Sequence, residues 1–383
     1  MPSSAQLWAV LSFACLGLAA AYSAFAVVAV LTWKMRRAAG KSSALPPVTI
    51  LKPLCGAEPG LYEDLRSFCV QDYPEFQIVF GVRDASDPSC AVVTRLAAEF
   101  PLVPMELVIN PQLHGGNGKI SNLINMMPYA RHDILAMADS DACVGRDYLG
   151  AVTGPLTDAK NGLVTCIYHG VPTANVCSRL GAMYINEWYV PSVLLAWLFG
   201  HDGYASGQTL CLRRETLAAI GGLPALANHL ADDYRLGEMV RGLGLNIVLS
   251  PYVVTAEHHE LNVRSLVRHE LRWMSTIRVL RPRSFLFLFL SFSLPLAALG
   301  MAVAAVQQAV SPATWALFGA TIIARLVLYF VHRRVNRISD LWLLPFRDLL
   351  ILWVWCRTFF TSQVTWRGYE FDIDADGVMH PLP

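Results

Sequence analysis

The chain has 383 residues, room for one large domain or two ordinary ones. Hydrophobic residues make up 54% and charged residues only 15%, against about a quarter in typical soluble domains, so an ordinary soluble enzyme is excluded. A net charge of +1 gives no footing for nucleic acid, and nine scattered cysteines without a C-x-x-C pair argue against zinc and for reduced thiols.

In chain order, Leu7 to Trp33 carries no charge and is long enough to cross a hydrocarbon core of about 30 Å. The basic residues Lys34, Arg36, Arg37 and Lys41 follow it, whereas a cleavable signal peptide places its charge first. Residues 1–44 therefore predict a signal anchor and linker, with everything after residue 34 on the cytoplasmic side. After Pro46-Pro47, residues 45–283 change character. β-rich runs over Val48–Leu54, Phe76–Val82, Met105–Ile109, Asp133–Ala138 and Leu163–Tyr168 alternate with helical patterns near 60–70, 88–99, 118–129 and 146–153. This alternation predicts an α/β domain with a mainly parallel sheet, whose ligands sit beyond the carboxyl ends of the strands. Arg83-Asp84 and Asp139-Ser140-Asp141 fall at two such ends.

The phosphate motifs fail. "KPLCGAEPG" after the first strand lacks G-x-G-x-x-G. In "HGGNGKIS" Ile120 stands where a P-loop needs Ser or Thr, and Leu113 where it needs the first glycine. The carboxylates remain. Asp139 and Asp141, one residue apart at a strand end, suit a hard divalent cation that neutralises a diphosphate, although polar residues also simply end strands. Asp84, in "FGVRDASDP", reads either as a turn residue or as a hydrogen-bonding group at the end of the second strand. Asp232-Asp233 open a helix; one is expected to cap it and the other to face the site as a base.

Further on, "MYINEWYVPSVLLAWLFGHDGY" (183–204) reads as a membrane-surface helix or a core helix. His258-His259-Glu260 would point to opposite faces of a strand, against a metal cluster. Arg264, Arg268, Arg272 and Arg278 nearly follow i, i+4 spacing, either as a stripe meeting anionic headgroups or with Arg272 beside a departing diphosphate and Trp273 packed next to it. Residues 284–365 form a second apolar region, with spans expected near 285–306 and 315–331 and a re-entrant or interfacial helix near 341–360. That last stretch holds Arg347, Asp348 and Arg357, each costing roughly 2.5–3.5 kcal/mol at a bilayer centre. Residues 366–383 form a tail.

Together these residues resemble the ceramide glucosyltransferase family of membrane glycosyltransferases, which has three separated aspartates followed by (Q/R)-x-x-R-W. The resemblance runs through "LKPLCG", "QDYPEFQIVFGVRDASDP", "NGKISNL", "ADSDACVGRDYL", "SGQTLCLRRETLAAIGGL", "LADDYRLGEMV", "HELRW" and "WRGYEF". Asp84, Asp139 and Asp233 match the three aspartates, and His269, Arg272 and Trp273 the last motif, with His269 departing from Gln or Arg. Lys119 and Asn122 match a segment near the donor site. The resemblance implies a GT-A, Rossmann-like fold and inverting transfer from a UDP-sugar to a lipid hydroxyl. Asp233, Arg272 and Trp273 would be catalytic. Asp84, Lys119, Asn122, Asp139 and His269 would bind the donor, and Asp139 and Asp141 a magnesium or manganese ion. The "WRGYEF" tail belongs with the cytoplasmic site in that family, favouring an interfacial 341–360.

The likeness is strongest to bacterial, hopanoid-associated members. It implies a protein of the bacterial inner membrane, facing the cytoplasm, that transfers N-acetylglucosamine to bacteriohopanetetrol. Glucosylation of ceramide is the alternative. A processive polysaccharide synthase would need a translocating channel, for which the apolar segments are too few. A scaffold or transporter would need polar residues within its spans, and Leu7–Trp33 has almost none.

Overall fold

The structure, a computed structural model, describes residues 4–36, 45–173, 175–201, 203–332, 336–360, 363–366, 369–374 and 377–381. Arg37 and Lys41 of the basic flank after Trp33 and Arg367-Gly368 of the tail motif lie outside them.

In chain order the elements are α1 (Ser4–Arg36), β1 (Val48–Pro53), α2 (Leu61–Cys69), β2 (Phe76–Val82), α3 (Ser89–Glu99), β3 (Met105–Ile109), α4 (Gly118–Met126), β4 (Ile134–Met137), β5 (Ala142–Cys143) and α5 (Tyr148–Thr153). There follow β6 (Asn161–Pro172), α6 (Val176–Tyr184), a π-helical turn (Ile185–Tyr189), α7 (Val190–Leu198), β7 (Leu210–Arg213), α8 (Arg214–Ala219), α9 (Asp232–Gly242) and β8 (Asn246–His258). The chain continues with α10 (Val263–Leu280), α11 (Pro282–Leu286), α12 (Ser293–Val306), α13 (Pro312–Val331), α14 (Leu344–Thr358), β9 (Gln363–Trp366), β10 (Tyr369–Ile373) and β11 (Met379–Pro381). They divide into two compact units: Arg36–His169, Gly200–Glu257 and Trp366–Pro383 in one, Met1–Met35, Gly170–Phe199 and His258–Thr365 in the other. The linear boundary at 365 falls on a division between these units, whereas those at 45 and 283 do not.

The first unit is organised by an eight-stranded sheet of order β3-β2-β1-β4-β7-β6-β8-β5. Strands β3, β2, β1 and β4 are parallel, and antiparallel pairing begins at β4–β7. β1 and β4 are buried almost throughout, as parallel strands covered on both faces must be. From β1 the chain builds outward through β2 to β3, then returns to place β4 on the other side of β1. That reversal opens a crevice at the carboxyl ends of β1 and β4, where open α/β sheets bind ligands. The core below it includes Leu51, Val79, Leu135, Met137, Leu210 and Leu212. Each such residue contributes roughly 1.5–3 kcal/mol by leaving water, so the strand ends are rigidly held.

The second unit is helical. Among the described residues two helices, Gln6–Arg36 and Pro312–Val331, are long and apolar enough to cross a membrane. The span expected over 285–306 is not one continuous helix: α11 and a 3-10 turn (Leu288–Ser291) precede α12, whose 14 residues give about 21 Å. Cys15, Leu16 and Ala19 of α1 pack with Leu296 and Ala297 of α12, and the Ser12 hydroxyl donates to the Gly300 carbonyl at 2.8 Å. The segment 183–204 is not one surface helix either. It covers the end of α6, the π-turn and α7, with Asn186 and Glu187 buried. α14 is 15 residues long, about 22 Å, with Arg347 and Asp348 buried and Arg357 exposed.

Candidate active site

Four stretches distant in sequence meet at the switch point of the sheet. The chain leaving β4 carries Asp139, whose backbone N–H donates to the Gly207 carbonyl at 3.1 Å. Asn117 caps α4 by accepting from the Ile120 N–H, which sets Lys119 in the first turn. The Lys119 ammonium sits 2.7 Å from Asp139 Oδ1 and 3.3 Å from Asp232 Oδ2. Asn117 Nδ2 reaches Asp232 Oδ1 at 3.3 Å. Asp233 Oδ2 accepts from the Gly207 N–H at 2.9 Å and its Oδ1 from the Tyr234 N–H at 2.7 Å. Asp141 Oδ1 accepts from Gln208 Nε2 at 3.0 Å.

The electrostatics follow. Burial alone would lower the Lys119 pKa, but Asp139, Asp232 and Asp233 outweigh it and hold the ammonium above its ordinary range. Burial, with Asp232 close by, pushes Asp233 up to about 6 against the opposing pull of Lys119. That is a carboxylate poised to accept a proton near neutral pH. Asp232 does not cap α9 as expected: Ala231 is the N-cap, and both aspartates lie in the first turn, where the helix dipole favours them.

Three residues completing the site are not legible as site residues in the sequence. Lys52, fully buried at the end of β1, donates from Nζ to the Asp139 carbonyl and lies over the Phe68 ring at 4.0 Å. Burial lowers its pKa to about 8, opposed by Asp141, Asp64 and Asp139. Gly207 has no room for a side chain: a Cβ there would lie 2.6 Å from Asp139 Oδ2 and 2.9 Å from Lys119 Nζ. Gln208 is buried beside Asp141, and its Oε1 is without a hydrogen-bond partner. "SGQT" between two apolar segments was the available signal, but it gives no partner.

Other expected residues are placed differently. Asp84 is exposed, its Oδ1 accepting from the Ser86 N–H and hydroxyl, both at 2.8 Å, which holds its pKa below the usual range. Asn122 is buried, with Nδ2 donating to the Gly81 carbonyl at 2.7 Å and the Leu54 carbonyl at 3.4 Å. It ties the ends of β1 and β2 together. A Cβ on Gly81 would strike its Oδ1 at 2.3 Å, so this packing requires glycine. His269, Arg272 and Trp273 lie on α10 in the helical unit. There the His269 and Trp273 rings are 4.0 Å apart, and His269 Nδ1 is 3.0 Å from Glu260 Oε1. His258 Nδ1 shares that oxygen at 3.3 Å. Burial would raise the Glu260 pKa, but these two imidazoles hold it below the usual range. Burial lowers the His269 pKa against the pull of Glu260, so the ring is neutral at pH 7.

Among the described residues no three His, Cys, Asp or Glu side chains converge as a ready-made metal cage. A cation that binds together with a diphosphate needs only one or two protein carboxylates. Asp139 and Asp141, with the unpartnered Gln208 Oε1 alongside, fit that requirement.

Comparison with known proteins bears on this arrangement. The chain is 24% identical over 243 residues to ceramide glucosyltransferase 3 of Caenorhabditis elegans, covering 63% of this chain and 53% of that protein. It is 33% identical over 112 residues to ceramide glucosyltransferase of Komagataella phaffii, covering 27% and 22%. The chain spans about half the length of its two Caenorhabditis relatives. Its fold is similar to that of mannosyltransferase PcManGT from Pyrobaculum calidifontis, solved with GDP-Man and Mn2+. The TM-score is 0.53 and the identity 20%, over 90% of this chain and 99% of that one. The mixed α/β fold is thus the GT-A type expected from the sequence. The family match extends from residue 16 to residue 379, and on that span the chain belongs to glycosyl transferase family 21.

Proposed function

We propose that the protein transfers a sugar from a UDP-sugar to the hydroxyl of a membrane lipid, with inversion at the sugar carbon. The observation that carries this reading is the meeting of Asp139, Asp232 and Asp233 around Lys119 at the switch point of the sheet, in a family 21 chain. In this reading Asp233 takes the proton of the acceptor hydroxyl as its oxygen bonds to the sugar carbon. The bond from that carbon to the UDP oxygen breaks on the opposite face. Arg272 pairs with the departing diphosphate, Trp273 packs beside it, and His269 and Asp84 contact the donor. Lys119 balances the aspartates, and Asn122 holds the strand ends on which the donor rests. Asp139 and Asp141 would hold magnesium or manganese, which when bound supplies positive charge to the diphosphate.

The relatives favour ceramide as acceptor over the bacteriohopanetetrol expected from the sequence, because the named similarities are to ceramide glucosyltransferases. The two long apolar helices would anchor the enzyme, and the basic residues after Trp33 would keep the site on the cytoplasmic face of the bacterial inner membrane. The test is to incubate the purified protein with UDP-glucose or UDP-N-acetylglucosamine, together with ceramide or bacteriohopanetetrol, and analyse the lipids by mass spectrometry. Glucosylceramide is the expected product. A glycosylated hopanoid would restore the other acceptor, a polymer would indicate a synthase, and no glycolipid at all would sink the proposal. A second expectation concerns Gly207. Gly207→Ala should lower the rate about 100-fold with little change in thermal midpoint, because the new methyl displaces Asp139 and Lys119 by a fraction of an ångström to an ångström. An unaltered rate would mean that those side chains are not set by the Gly207 loop.

A further inference from the structure

The helical unit holds a chain of buried charges that joins α10 to α13 through α14. Arg347 and Glu270 are each about 1% exposed and paired through both ends of the fork, Nη1 to Oε1 at 2.5 Å and Nη2 to Oε2 at 2.7 Å. Arg347 Nη1 also donates to the Leu180 carbonyl at 3.1 Å, and the guanidinium lies 5.5 Å from the Tyr184 ring centre. The next residue, Asp348, accepts from Arg325 Nη2 of α13 at 2.8 Å. Arg325 in turn donates from Nη1 to the Glu187 carbonyl at 2.7 Å and lies 3.6 Å from Glu187 Oε2. Neighbours on a helix point about 100° apart, so Arg347 and Asp348 grip two different helices.

Ion pairs this deeply buried seldom stabilise more than well-packed apolar side chains would. What they supply is orientation, since a bidentate guanidinium–carboxylate pair tolerates one geometry. Glu270 lies on the buried face of α10 with Leu266 and Met274. Arg272, two residues on, is turned about 200° around the helix from it. The Trp273 ring lies 4.0 Å from that of His269 and 5.2 Å from that of Tyr184, and Tyr184 is itself under Arg347.

We infer that the Glu270–Arg347 pair, backed by Asp348–Arg325, is a positioning device: it fixes the rotation of α10 and thereby the direction in which Arg272 is presented. The inference rests on the role given to Arg272 above. It sets the rate of transfer and not the affinity for the donor, because the charge that Arg272 meets develops as the diphosphate leaves.

The test uses the full-length protein and the double variant E270L/R347M, which removes both charges at similar volume. The expected result is a folded protein with a near-normal thermal midpoint and an unchanged KM for the UDP-sugar, but a kcat at least 30-fold lower. Arg347→Lys keeps the charge and loses the fork; its kcat should fall about 5- to 10-fold. As a control, Arg179→Met breaks the Arg179–Asp340 pair (3.0 Å) of the same unit and should leave kcat within twofold. A double variant with kcat within threefold of the parent overturns the inference, as does an equal loss of kcat in the control. Should the double variant fail to fold, Arg347→Lys decides, and parental kcat in it is again an overturn. Wild-type protein that transfers no sugar to lipid would bring down the functional reading itself, whereas active wild type with an equally active double variant brings down only this inference.

Discussion

Asp233→Asn should reduce lipid glycosylation by about 10²–10⁴-fold, the contribution of a positioned general base, while UDP binding stays within about threefold. The carboxylate is half-buried, with Oδ2 on the Gly207 N–H and Oδ1 on the Tyr234 N–H, so an asparagine of the same shape keeps the packing and one of these two hydrogen bonds but loses the proton acceptor. The same residue fixes the pH dependence. Its pKa is raised to about 6 by burial and by Asp232. Only the ionised form accepts a proton, so kcat/KM should climb roughly tenfold per pH unit below about 6 and level off above it. In the asparagine variant that acidic limb should vanish along with the activity. Wild-type rates in Asp233→Asn, or a flat profile between pH 5 and 7 in the parent, would remove Asp233 from the role of base.

Much of the α/β scaffold was readable because its signals are local. Phe76–Val82 and Met105–Ile109 are strands with the expected ends, since each is an apolar β-branched run bounded by turn residues. The helix expected near 118–129 stops at Met126 because Pro128 forces a 3-10 turn. Asp139 and Asp233 were also legible from their places at a strand end and a helix start, but Lys119 only through a family pattern: it is 20 residues from Asp139 and more than 100 from Asp232. Lys52 and Gly207 escaped notice for the same reason. A lysine at a strand end and a glycine in a loop acquire meaning only once β1, β4 and the 206–208 loop are side by side. Arg347 and Asp348 are the opposite case. In sequence they are a cost to membrane insertion, yet Glu270 and Arg325, 77 and 23 residues away, neutralise them inside the helical unit.

Removal of divalent cations with EDTA should lower transfer by about three orders of magnitude, equivalent to the several kcal/mol a bound cation contributes, and added magnesium or manganese should restore it. The argument is one of charge. Asp139, Asp141, Asp232 and Asp233 bring four carboxylates to the crevice, and Lys119 and Lys52 bring two cations. A diphosphate entering that balance meets net repulsion, and a pair of like charges 4 Å apart costs about 1–4 kcal/mol at the dielectric of water or of a protein surface. The two lysines do not offset it: Lys119 is already shared between Asp139 and Asp232, and Lys52 is turned to the Asp139 carbonyl with its pKa lowered to about 8. In the proposed reading a cation besides Arg272 offsets that repulsion, and Asp141 would be better placed to receive it than Asp139. Asp141 accepts from the neutral Gln208 amide, whose own Oε1 has no partner, and acts on Lys52 only through space, whereas Asp139 is engaged with an ammonium at 2.7 Å. Asp141→Asn should accordingly raise the manganese concentration needed for half-maximal rate by tenfold or more, with part of the rate recovered at high manganese. Asp139→Asn should not be recovered, because it also releases Lys119 from its position. Rates indifferent to EDTA would take both aspartates out of the metal role and leave Arg272 as the cation that meets the diphosphate.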